Sequence, residues 1–121
     1  MGTVFRWREV TQINMRILVA VAPTMYREAF AHILRREDHP NDEVHLAYPD
    51  DLDREASSFH PHLIVSSNEA SKVRMLSVPS WFVIRYHDIL SASVSHDLQA
   101  TRLVQDPTSE DLLAVVEEAR C

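Results

Sequence analysis

Apolar positions along the chain fall into short blocks whose spacing switches between the strand period and the helix period. In Arg16-Ile-Leu-Val-Ala-Val21 the arginine is followed by a continuous apolar run of strand length, the pattern of a strand covered on both faces. Ala22-Pro23-Thr24 comes next; proline favours a helix start, and Thr24 has the hydroxyl of an N-cap. Tyr26, Ala29, Phe30, Ile33 and Leu34 then recur at helical spacing, with Arg27, Glu28, Arg35 and Arg36 off that stripe. This predicts an amphipathic helix ending before Pro40. Glu43 to Tyr48 alternates, with Val44, Leu46 and Tyr48 on one face, and predicts a half-exposed strand. Leu52, Ala56 and Phe59 mark a short helix begun by Asp50 or Asp51.

His62 to Ser66, Trp81 to Ile84 and Thr101 to Gln105 read as three more strands, the second apolar enough to be central. Thr108-Ser-Glu-Asp111 resembles a capping box with aspartate in place of glutamate. Leu112, Leu113, Val116 and Ala119 form the stripe of the helix it opens. Strands interleaved with helices predict a three-layer α/β domain around a parallel sheet. Two stretches fit less well. Ser67 to Ser80 has room for two helical turns at most, on which Val73 and Leu76 would pack. Asp88 to Ala100 contains Ser91-Ala-Ser-Val-Ser95, poor helix material that reads as an extra strand or an irregular segment. Residues 1–14 follow neither period and are expected to be a leader or arm before a domain spanning 15–121.

Composition narrows the functions available. The 121 residues include a single glycine, Gly2. Glycine-rich phosphate loops need positions without a Cβ, so P-loop and dinucleotide-binding sites are disfavoured. Twelve basic against eighteen acidic residues leave a net charge of −6, and the cations are scattered, which argues against direct nucleic-acid binding. The longest apolar run, Ile17 to Ala22, is far short of the ~20 residues of a membrane helix, and Arg6, Arg8 and Glu9 interrupt any signal-peptide core. The one cysteine, Cys121, excludes an intrachain disulfide. A cytoplasmic location is expected.

Three strings, in order and at fitting spacing, resemble the receiver domain of bacterial response regulators. Met15-Arg-Ile-Leu-Val-Ala followed by Pro23-Thr-Met-Tyr-Arg-Glu-Ala29 is similar to the family's first strand and helix. His60-Pro-His-Leu-Ile-Val-Ser-Ser67 is similar to its third strand, and Arg102-Leu-Val-Gln-Asp-Pro-Thr-Ser-Glu-Asp-Leu-Leu113 to its fifth strand and last helix. The match covers most of residues 15–66 and 100–119. It implies a flavodoxin-like fold with five parallel strands in the order 2-1-3-4-5, helices on both faces, and an abbreviated or altered region between strands three and five.

The same resemblance marks what is missing. Receivers bind Mg²⁺ through acidic side chains after strand one, accept a phosphoryl group on an aspartate ending strand three, and use a lysine ending strand five. Here those places fall on Val21 and Ala22, on Ser67 beside Ser66, and on Gln105. Arg85 lies near the position usually held by a small hydroxyl residue, with Asp88, Asp106 or a bound anion as its expected partner. The resemblance thus implies a pseudo-receiver, not an enzyme, with no metal and no cofactor. Its expected role is phosphorylation-independent signalling through a protein partner or a homodimer. The expected interface is Ile89, Leu90 and Val94, with Arg102 and Val104 beside it. The alternative is a small-molecule or anion sensor using the crevice near Ala22, Ser67, Arg85 and Gln105.

Other constellations have plainer readings. His60-x-His62 is the only close histidine pair, but it sits at the end of the sheet opposite the usual ligand crevice. Ser66-Ser67-Asn68 reads as a hydroxyl-rich turn that caps a short helix after strand three. Asp50, Asp51, Asp53 and Glu55 read as a solvated helix start that complements the helix dipole.

Overall fold

A strand that is apolar on both faces demands a layer on each side, and that demand sets the architecture. The computed structural model describes residues 15–35, 41–68, 72–73, 75–76, 78–85, 91–95 and 101–120. Its elements are β1 (Arg16–Ala20), α1 (Thr24–Leu34), β2 (Glu43–Leu46), α2 (Leu52–Phe59), β3 (Leu63–Ser66), β4 (Ser80–Arg85), β5 (Ser91–Ser95), β6 (Arg102–Gln105) and α3 (Ser109–Arg120). A 3-10 turn, Pro49–Asp51, leads into α2. One six-stranded sheet has the order β2-β1-β3-β4-β5-β6. The pairs within β2-β1-β3-β4 are parallel, whereas β5 is antiparallel to both β4 and β6. The expected leader and Cys121 lie outside the described residues.

The five-stranded, all-parallel 2-1-3-4-5 sheet is therefore corrected. Ser91–Ser95 is a strand, and it separates β4 from the strand expected beside it, Arg102–Gln105. The physical reason is a period of two. Ala92 and Val94 are buried in the core, while Ser91, Ser93 and Ser95 occupy the opposite face. Small hydroxyl residues at every second position suit an antiparallel strand with one covered face better than a helix.

The two cores follow from the pleat. On the first face Ile17, Val19, Leu63, Val65, Phe82, Ile84, Ala92 and Val94 meet Leu34 of α1 and Leu112, Val115 and Val116 of α3. On the second, Leu18, Ala20, Ile64, Trp81 and Val83 meet Leu52 and Ala56 of α2. Val73 and Val78 from the β3–β4 connection are buried there, and Leu76 packs against them as expected. Helices thus lie on both faces, but the second core stops at β4 and contains no residue of β5 or β6.

Two helices differ in detail from their sequence stripes. In α1 the buried residues are Arg27, Ala31 and Leu34, while Tyr26 is exposed, so the covered stripe is turned by about one residue, roughly 100°. An arginine can sit on a core-facing stripe because its stem is apolar and its head finds oxygen atoms. Thr24 is the first helical residue of α1, after Pro23 as cap, in place of the N-cap role expected of it. In α3 Val115 joins Leu112 and Val116 on the inward side, in place of Leu113, which is half-buried. The capping box forms as the sequence implies: Thr108 N–H donates to Asp111 Oδ2 (2.8 Å), and Asp111 N–H donates back to Thr108 Oγ1 (3.3 Å).

Candidate functional site

The carboxyl ends of β1 and β3 are where an open α/β sheet offers its crevice. Val21 is buried there and Ala22 is exposed. Ala22 N–H donates to Ser67 Oγ (3.1 Å), and Ser67 N–H donates to Ala20 O (3.3 Å). Ser66 is fully buried, and its Oγ accepts the N–H of Asn68 (2.9 Å), whose side-chain amide donates to Pro49 O (2.9 Å). Both hydroxyls accept N–H groups, Ser66 from two residues on in a Ser-turn and Ser67 from across the sheet end; the helix that this turn was expected to cap would begin at residues 69–71, outside the described residues. Neither Val21, Ala22 nor Ser67 supplies a carboxylate for a hard divalent cation.

The structure brings these three residues together and separates them from Gln105. The register aligns Arg85 with Ser91 and Ser91 with Gln105. With β5 inserted, Gln105 stands three strand spacings from β3, about 14 Å at the usual spacing. It cannot face Ser67 as a receiver's lysine faces its aspartate, so the expected five-residue pocket does not close. Arg85 and Gln105 instead form an exposed row with Ser91 on the second face of the sheet. Among the described residues nothing pairs with Arg85; Asp88 lies outside them, and Asp106 follows β6 with a left-handed backbone (φ 47°).

The expected interface residues also divide. Ile89 and Leu90 lie outside the described residues. Val94 is only 1% exposed and belongs to the first core, so its side chain is not at the surface. The alternation of β5 turns Ala92 and Val94 into the first core and its serines to the other face, where Ser91 and Ser93 are half-buried and Ser95 is buried, which corrects that assignment. Arg102 is exposed and reaches Glu118 of α3 (3.2 Å), and Val104 packs half-buried against the first core. The exposed apolar residue of β6 is Leu103, 61% exposed, in register with Ser93 on the second face, beyond the α2-side core.

His62 serves the fold. Its Nδ1 accepts the N–H of Arg16 (3.0 Å), and its own backbone N–H donates to Arg16 O (2.8 Å). Arg16 Nε–H donates to the carbonyls of Phe59 (3.1 Å) and His60 (2.9 Å). Burial, and then the Arg16 guanidinium, hold the His62 imidazole below its ordinary 6.5. His60 takes a left-handed backbone (φ 52°) as the C-cap of α2. Among the described residues no group of three or more His, Cys, Asp or Glu is placed to hold a metal ion.

A second concavity was not legible in the sequence. At the exit of β2, a cleft of about 390 Å³ is lined by Arg27 and Glu28 of α1, His45 to Tyr48, and Asp51 and Glu55. Arg27 is only 7% exposed; it donates to Ala47 O (3.1 Å) and Thr24 Oγ1 (2.8 Å) and lies over the Tyr48 ring at 4.5 Å. His45 Nε2 meets Glu55 Oε2 at 2.9 Å, and Arg54 meets Asp51 at 3.1 Å. Two of the four acids read as a solvated helix start thus line a cleft instead. The available signal was Tyr48 directly after β2, ahead of Pro49 and the acidic run.

No protein-family model matches the chain, and no curated protein matches it. Among solved structures it is similar to HypX from Aquifex aeolicus (A392F-I419F variant), with a TM-score of 0.51 at 15% identity. The likeness covers 88% of this chain and 26% of that one, so the chain spans about a quarter of its length. At that identity the likeness speaks for the α/β fold alone. No helix among the described residues is long and apolar enough to cross a membrane.

Proposed function

We propose that this chain is a docking module on a receiver-like scaffold, non-catalytic and independent of phosphorylation, that engages a protein partner. The observation carrying the reading is the end of β1 and β3: Val21, Ala22 and Ser67 occupy it, and Ser67 Oγ is bonded to the Ala22 N–H. Phosphoryl transfer needs charge at that place, both to hold a metal and to stabilise the transition state. Apolar side chains and a neutral hydroxyl provide none.

The second face of β5 and β6 supports docking in place of chemistry. Ser91, Ser93, Leu103, Gln105 and Arg85 share that face, and the α2-side core ends before it. Leu103 is exposed on that face, as is Arg85, and these two residues are the ones a partner would cover.

Incubation with acetyl phosphate or a phosphohistidine donor and Mg²⁺, followed by intact mass, tests the proposal. The expected result is no phosphoryl adduct in the native chain or in Ser67→Ala. An adduct present in the native chain and lost in Ser67→Ala overturns it.

A further inference from the structure

We infer that the cleft at the exit of β2 receives the guanidinium group of an arginine carried by the protein partner. The inference rests on the docking reading for its partner, but on a different part of the surface for its chemistry. Phosphotransfer results at Ser67 therefore leave it to stand or fall separately.

Charge decides the sign of the occupant. Arg27 is the one arginine or lysine in the lining, against three carboxylates, Glu28, Asp51 and Glu55; Arg54, outside the lining, meets Asp51 (3.1 Å), and His45 meets Glu55 (2.9 Å). Arg27 is nine-tenths buried and already donates to two oxygen atoms, so an anion would have to pass the carboxylates to reach a group already bonded. A cation meets acceptors first. The whole chain, at −6, adds a long-range field of the same sign.

The aromatic wall decides the shape. Tyr48 is 65% exposed, an unusual state for a large ring beside a core strand. Arg27 covers one side of that ring, and the bonds from Arg27 to Ala47 O and Thr24 Oγ1 hold it there. The ring is thus held before any ligand arrives, which lowers the ordering cost of binding. Its open side offers a flat, electron-rich surface. A planar guanidinium stacks on such a surface while donating sideways to carboxylates, which a compact ammonium cannot match. Glu55 is suited to accept: Oε2 meets His45, whereas Oε1 has only the loose Arg54 contact at 3.9 Å.

The test is an NMR titration of the full chain with N-acetyl-arginine amide, N-acetyl-lysine amide and inorganic phosphate, following backbone amides of residues 45–55. Saturable shifts with the arginine probe are expected, together with weaker binding of the lysine probe. Tyr48→Leu and Glu55→Gln should each weaken the arginine probe by roughly two- to fivefold, the scale of an exposed cation–π or carboxylate contact. Tyr48 is exposed and Glu55 half-buried, and circular dichroism verifies that each variant is folded. The inference is overturned by no saturable response to the arginine probe, by equal binding of lysine, by phosphate saturating the same amides, or by full affinity in Tyr48→Leu.

Discussion

Val94→Ala separates a core role from a surface role for β5. The side chain is 1% exposed and packs in the cluster that joins Phe82, Ile84 and Ala92 to α3. It pairs with Phe82 on one side and Arg102 on the other. Truncation removes two methyl groups, about 1.6 kcal/mol at roughly 0.8 kcal/mol each. The void left between two fixed strands and a helix adds to this, for a total of about 2–3 kcal/mol. In a domain of this size that corresponds to a fall in Tm of roughly 6–12 °C. Urea unfolding followed by circular dichroism gives the free energy directly, and an unchanged slope would place the effect in stability. The control is Leu103→Ala, where 61% exposure limits the change to about 0.5 kcal/mol. If Val94→Ala were as stable as the native chain, while Leu103→Ala lost more than about 1 kcal/mol, the assigned facing of β5 and β6 would be wrong.

Two further outcomes test the local chemistry. The His62 imidazole has its pKa held below 6.5 by burial and by Arg16, so the unfolded chain takes up the proton first. Its stabilising effect is complete above pH 6.5 and is lost as the pH falls through the lower folded value. His62→Asn keeps an acceptor for the Arg16 N–H without titrating, so native stability should fall relative to this variant between pH 7 and 5; parallel urea midpoints would refute it. Thr108→Ala removes the hydroxyl that accepts the Asp111 N–H, while the Thr108 N–H to Asp111 Oδ2 remains; it should cost about 1 kcal/mol, whereas Thr108→Ser should be nearly neutral in the same assay.

How much of this was legible in the sequence depends on whether the governing interaction was local. Ile17 to Val21 and Trp81 to Ile84 announce buried strands because no polar residue interrupts them, and both are in the core. The α3 cap was readable from four residues because its bonds span three positions. Strand direction is different. Ser91-Ala-Ser-Val-Ser95 carries a period of two, but nothing within five residues states which neighbour it pairs with or in what sense. Arg27 escaped for a related reason: a charged residue beside an apolar stripe looks solvated until the carbonyl of Ala47, twenty positions away, is placed beside it. The β2 cleft was hidden because its walls come from α1, β2 and α2. The receiver strings aligned Gln105 with a catalytic position in order along the chain, while the extra strand moved it in space.

The hairpin course of the C-terminal half has a consequence for how the molecule reaches its native state. Joining β1 to β2 spans 22 intervening residues, whereas joining β4 to β5 spans five and β5 to β6 spans six. By the logarithmic dependence of ring closure on length, the short connections are easier by about 1 kcal/mol each. The meander of β4, β5 and β6 is therefore the low-contact-order part of the topology. It can serve as an early template on whose β4 edge the slower parallel crossovers of β3, β1 and β2 are laid down.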